Sequence, residues 1–131
     1  MRNYQPKKNN PYLLPYNLYR RVLYTIRDYP RLCEEASIRS DYLTAFTVDG
    51  MPKATAHSSP TEFAAIHLSL ITDEIRAIDK AIASIPKFYR KPVLENIISD
   101  KAYPVYGADR RTYGTYKQRF IYNVAKNLNL A

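Results

Sequence analysis

One cysteine, Cys33, stands in 131 residues, so no disulfide can close within the chain. With no apolar secretory segment at the start, that usage points to a reducing cytoplasm. No apolar run approaches the roughly 18 residues that span a bilayer, which predicts neither a membrane span nor a membrane partner. Three glycines are too few for a phosphate-cradling loop of the Walker or dinucleotide kind. Two histidines, His57 and His67, have no His or Cys partner at metal-ligand spacing. Catalysis needs positioned acids, bases or nucleophiles. Glu34-Glu35 and Asp73-Glu74 are adjacent pairs, which diverge on a helix. Cys33 has no histidine nearby in sequence and reads as a small buried apolar group. These absences predict a protein that is not an enzyme and carries no cofactor and no metal. Repeats and low-complexity tracts are also missing.

What the chain has in excess is positive charge. The formal net charge is +8, with 46% apolar residues to build a core. A balance this basic favours a polyanion partner, the alternative being solubility alone. Its distribution is uneven: residues 1–85 carry a net +2 and residues 86–131 a net +6. The last third therefore holds most of the excess.

Along the chain, residues 1–14 read as a flexible basic arm with Arg2, Lys7 and Lys8, a frayed terminus or a phosphate-touching one. Residues 15–85 read as a helical hairpin with a loop at 44–58. Its first helix spans Pro15 to Asp28, with Tyr19, Leu23 and Ile26 at helical spacing and Leu18 and Val22 widening the stripe. Pro30 opens a second helix to about Leu43, with Leu32, Cys33 and Ala36 inward. Gly50, Pro52 and a scatter of Ser and Thr mark the loop. Ser59-Pro60-Thr61-Glu62 matches a capping box. Behind it Ala64, Leu68, Ile71, Ile75, Ile78, Ile82 and Ile85 alternate spacings of 4 and 3, a heptad seam. The apolar stripe of the first helices needs a partner, so this seam is expected to pack on it. The alternative is a homodimer through Leu68, Ile71, Ile75, Ile78 and Ile82.

Residues 86–131 read as a helix-turn-helix-like unit. Pro86 opens a helix whose apolar set is Phe88, Tyr89, Val93, Leu94, Ile97 and Ile98; Pro92 should make it start late or bend. Ser99 to Ala108 is a turn, punctuated by Pro104 and Gly107. Asp109 can N-cap a last helix running to about Leu128, with Tyr113, Tyr116, Phe120, Val124 and Leu128 as its buried face. The other face carries Arg110, Arg111, Gly114, Thr115, Lys117, Gln118 and Arg119, with no acid among them. Arg, Thr and Gln are base-reading side chains, and Arg and Lys grip phosphates. Arg111, Thr115 and Gln118 fall at i, i+4 and i+7 and would read bases. Arg110, Lys117 and Arg119 would hold phosphates. Gly114 would let the backbone approach a groove wall. Of the 13 tyrosines, Tyr103 and Tyr106 in the turn are the best candidates for stacking on bases, with Lys101 beside them.

The run Ile85-Pro86-Lys87-Phe88-Tyr89-Arg90-Lys91, the short turn and Arg110 to Ile121 together resemble small phage and prophage transcriptional regulators of the ArpU/RinA type. The C-terminal part of that family looks like the last helix-turn-helix region of sigma-70 factors. The likeness is best from Ile85 to Ala131. One departure is visible: Pro104 and Gly107 interrupt the segment where such a unit has a formed helix, so that helix is reduced to a turn or the motif is degenerate.

The resulting expectation is an all-α fold, an N-terminal helical hairpin packed on a C-terminal helix-turn-helix-like unit. The expected function is a DNA-binding transcriptional regulator in the bacterial host cytoplasm, its last helix in the major groove of double-stranded DNA. The alternatives are a helical adaptor for RNA polymerase or a phage or host-defence protein, and a general RNA or single-strand binder.

Overall fold

A computed structural model of the chain describes residues 5–48, 59–105, 107 and 109–131, with the side chains of all but 45–48 and 59. The described residues form five helices and no strand: α1 (Tyr16–Arg27), α2 (Tyr29–Val48), α3 (Ser59–Ala83), α4 (Lys87–Ser99) and α5 (Arg110–Asn127). The fold is all-helical, as the periodicity implies.

Pro15 fixes the backbone just ahead of α1. Tyr19, Val22, Leu23 and Ile26 then recur every three or four residues and are all buried. Between α1 and α2 there is hardly a loop. The Asp28 N–H reaches the Tyr24 carbonyl at 3.0 Å, and the Asp28 carbonyl accepts from the Leu32 N–H at 2.9 Å. Pro30 falls in the first turn of α2, where its missing N–H costs nothing. Helix α2 continues to Val48, so residues 44–48 are helical rather than loop. Thr44 and Thr47, expected in the loop, are accommodated in the helix. Residues 49–58 lie outside the described residues, and so does the side chain of Ser59 on which the capping box depends.

Helices α2 and α3 run antiparallel. Tyr29 donates its hydroxyl hydrogen to Asp79, and Glu35 meets His67 at 3.6 Å farther out. The isoleucine seam faces into the chain: Ile71, Ile78 and Ile85 are 5%, 1% and 1% exposed. Of the five residues of the alternative homodimer seam, Ile71 and Ile78 are thus packed within the chain, while Leu68, Ile75 and Ile82 are half-buried. Helix α4 begins at Lys87 immediately after Pro86 and runs through Pro92 without the expected late start.

A single buried cluster draws on α1, α3, α4 and α5 together, with Phe120, Ile121 and Val124 of α5 among its members. Helix α5 is central, touching α1, α3 and α4. The N-terminal segment is anchored more than its composition suggests. The Gln5 side chain makes two hydrogen bonds to the Leu14 backbone, at 2.7 and 2.8 Å, and Leu14 sits in the core. Residues 1–4 lie outside the described residues.

Candidate nucleic-acid interface

The front of α5 is fixed by its cap. The Asp109 carboxylate accepts from the Thr112 N–H and the Thr112 hydroxyl, both at 2.8 Å. Those two bonds, with Arg111 nearby, hold the Asp109 carboxyl below its ordinary pKa. Arg110, Arg111 and Thr115 follow and are exposed. The Thr115 hydroxyl donates back to the Arg111 carbonyl at 3.0 Å, which leaves its oxygen free to accept. Gly114 lies between them, and a Cβ built there would meet nothing within 4 Å. No packing inside the chain asks for a glycine, although a helical glycine costs roughly 1 kcal/mol against alanine.

The rest of the expected site is arranged differently. Gln118 does not share the open face with Arg111 and Thr115. It is 6% exposed and lies beside the Tyr19 hydroxyl. Lys117 is equally buried, its Nζ donating to Asn96 Oδ1 at 2.9 Å. Asn96 in turn donates to the Lys101 carbonyl at 3.0 Å. Burial pushes Lys117 down to about 8, Asp100 opposing that shift and Arg27 adding to it. Both side chains are interior because α5 has neighbours on three sides, whereas helical spacing alone assigns one buried face. Lys117 and Gln118 are thus structural, and their assignment to an open DNA-facing surface is corrected.

Arg119 remains partly exposed and donates to the Ser84 carbonyl at 3.0 Å. Arg90 donates to the carbonyls of Ile85 at 3.0 Å and Ala83 at 3.1 Å. The two guanidiniums therefore meet at the C-terminus of α3, where helical carbonyls lack partners and carry partial negative charge. Lys87 and Lys91, on the first turns of α4, are exposed. The open stripe Arg111, Thr115, Arg119 on α5 thus ends beside the α3–α4 corner. Arg90, Lys87 and Lys91 were not expected in the site. The signal that could have found them is the basic run directly after Pro86.

The acids of this region are all engaged. Glu95 pairs with Lys101 at 3.3 Å, Asp100 pairs with Arg27 at 3.3 Å, and Asp109 caps α5. Among the described residues Lys87, Lys91, Arg110 and Arg111 enter no ion pair.

Lys101 is exposed but held by Glu95. Tyr103 is stacked on Tyr113, ring centroids 4.8 Å apart and planes 10° apart. Burial raises its hydroxyl pKa to about 12. One face of the ring is therefore used inside the protein. Tyr106 lies outside the described residues. Tyr89 bridges this cluster, edge-on to Tyr113 and stacked on Tyr116 at 4.5 Å. An aromatic wedge thus joins α4 to α5 across a connector of residues 100–109, longer than the 3–4-residue turn of a helix-turn-helix.

The chain matches no protein-family model, no curated protein and no solved structure. Among the described residues no cluster of His, Cys, Asp or Glu could hold a metal, and no helix is long and apolar enough to cross a membrane.

Proposed function

We propose that the protein binds double-stranded DNA and regulates transcription, with the front of α5 in the major groove. One observation carries the reading: Arg110, Arg111, Lys87 and Lys91 are exposed and unpaired in a region whose three acids are all engaged. Positive charge without internal compensation is available to phosphates. Arg111 and Thr115 read base edges, and Gly114 lets the helix backbone approach the groove wall. Arg110 and Arg119 with Lys87, Arg90 and Lys91 hold the backbone of the duplex. The likeness of residues 85–131 to ArpU/RinA-type regulators supports a phage or prophage setting and a sigma-like mode of contact. Stacking on Tyr113 occupies one face of Tyr103 and so halves a platform that a single-strand binder would use.

Sequence selection from a random duplex pool, followed by gel shift across a salt series, tests this. Arg111→Ala should cost about 1–3 kcal/mol and relax specificity at one position. Lys91→Ala should weaken all sites alike and lower the salt slope by about 1. Absence of any shift at low salt, or equal affinity for random single strands and selected duplex, would overturn the proposal.

A further inference from the structure

The outer half of the α2–α3 hairpin is helical without being buried. None of the described residues from Cys33 to Leu70 is buried. Isolated helices of this length are marginal in water, and their stability in proteins comes mainly from packing an apolar face. Yet five large apolar side chains lie open here: Ile38, Tyr42, Phe63, Ile66 and Leu70, each at least half exposed.

They share one side of the hairpin. Phe63, Leu70 and Ala77 are one heptad apart and so form a line along α3. At its inner end Ala77 is buried, and its carbonyl accepts from Asn127 Nδ2 of α5 at 3.0 Å. Helix α5 stops at Asn127, so the line is covered at Ala77 and open at Leu70 and Phe63. On α2, Ile38 and Tyr42 are one turn apart. With Pro60 and Ala64 they line a shallow groove of about 410 Å³. The Glu35–His67 pair ties the two stripes together, since Glu35 lies three residues before Ile38 and His67 three before Leu70.

We propose that a second copy of the chain covers this face, hairpin against hairpin. A two-fold contact of this kind matches each patch with itself, residue i meeting j and j meeting i. Area is the first argument. Half-exposed aromatic and aliphatic side chains offer roughly 100 Å² apiece, so two copies remove on the order of 1,000 Å² of apolar surface before any rim is counted. That reaches the lower bound of specific interfaces, about 1,000–1,200 Å². Charge is the second. The hairpin helices carry four cations and seven acids, a net −3, which argues against a polyanion on this face. Along the stripe Glu35 is bonded to Arg31 and Arg39 and lies 3.6 Å from His67, and Glu74 follows Leu70 by one turn, so two acids stand beside two arginines and self-pairing sets nearly neutral surface against the same. The third is supply. The outer hairpin needs cover whenever it is helical, and a second copy is always at hand. The contact is separate from the surface assigned to DNA and does not depend on it.

Sedimentation equilibrium of the full chain, from low micromolar to submillimolar concentration, should give twice the 15.2 kDa monomer mass. Phe63→Asp with Leu70→Asp should return the mass to 15.2 kDa. The altered side chains are outside the core, so the inner bundle stays folded, as the tyrosine near-UV dichroism would report. Ile38→Asp with Tyr42→Asp should behave alike. The melting temperature of the parent should rise with protein concentration and that of both variants should not. A parent that remains monomeric throughout, or a dimer that survives both double substitutions, overturns the proposal.

Discussion

Lys117 provides the sharpest test of the packing around α5. The residue is 6% exposed, and its ammonium is hydrogen-bonded to Asn96, which is itself fully buried. Its pKa falls from 10.5 to about 8, mainly because burial penalises the charge. Holding that charge at neutral pH therefore costs about 3 kcal/mol of stability. Below pH 8 both folded and unfolded chains are protonated and the full penalty applies. Between about 8 and 10.5 the folded chain releases the proton while the unfolded chain keeps it. The unfolded state then binds more protons, so stability rises with pH and levels off above 10.5. Lys117→Met removes the penalty but takes a donor from Asn96 Oδ1, at a cost of about 1–3 kcal/mol. At pH 7 the variant should therefore match the parent or exceed it by up to about 2 kcal/mol. From pH 7 to 10 the parent should gain about 2–3 kcal/mol on the variant, read as a relative shift of about 1–2 M in urea midpoint. Tyr19, Tyr29 and Tyr103 have raised hydroxyl pKa values and oppose the trend above pH 10. They are present in both proteins and cancel in the difference. A difference that is flat from pH 7 to 10 would refute a buried, charged Lys117.

Gly114→Ala should raise stability by roughly 1 kcal/mol, because the new methyl enters open space. If α5 approaches a groove through that glycine, the same variant should bind DNA more weakly in gel shift. Gly107→Ala should destabilise by about 1–3 kcal/mol in urea titration: its φ is +100° and its Cβ would stand 2.7 Å from the Phe88 ring. Asp109→Ala should lower the melting temperature by uncapping α5, and the parent's advantage should fade as pH falls through the depressed carboxyl pKa. Arg119→Ala should cost about 0.5–1.5 kcal/mol through the lost bond to Ser84, measured by urea unfolding. Arg111→Ala, on an open face, should stay within about 0.5 kcal/mol.

Local chemistry was legible residue by residue. Pro15 and Asp109 mark the starts of α1 and α5 because a fixed φ and a short acceptor side chain act within one helical turn. The 4-3 alternation behind Ser59 specifies a continuous helix with one apolar side, and that helix forms through Ala83. The uneven charge of the last 46 residues is likewise a property of the sequence. Whether that charge is usable was not written there. Glu95, Asp100 and Asp109 are engaged by Lys101, Arg27 and Thr112, and one of those partners comes from another helix 73 positions away.

By itself the sequence determined where helices begin, which side of each is apolar and which end of the chain is basic, because these depend on neighbours within a turn or two. Only the tertiary structure decided that α5 lies in the middle. A helix surrounded by three others buries more than one stripe, so Lys117 and Gln118 turn inward while Arg111 and Arg119 stay outside. It also decided that Arg90 and Arg119 converge on the carbonyls ending α3, and that α5 stops short of the outer hairpin and leaves Leu70 and Phe63 uncovered. Helical spacing sets the direction of a side chain around its own axis; what stands in that direction is set by the packing of the other helices.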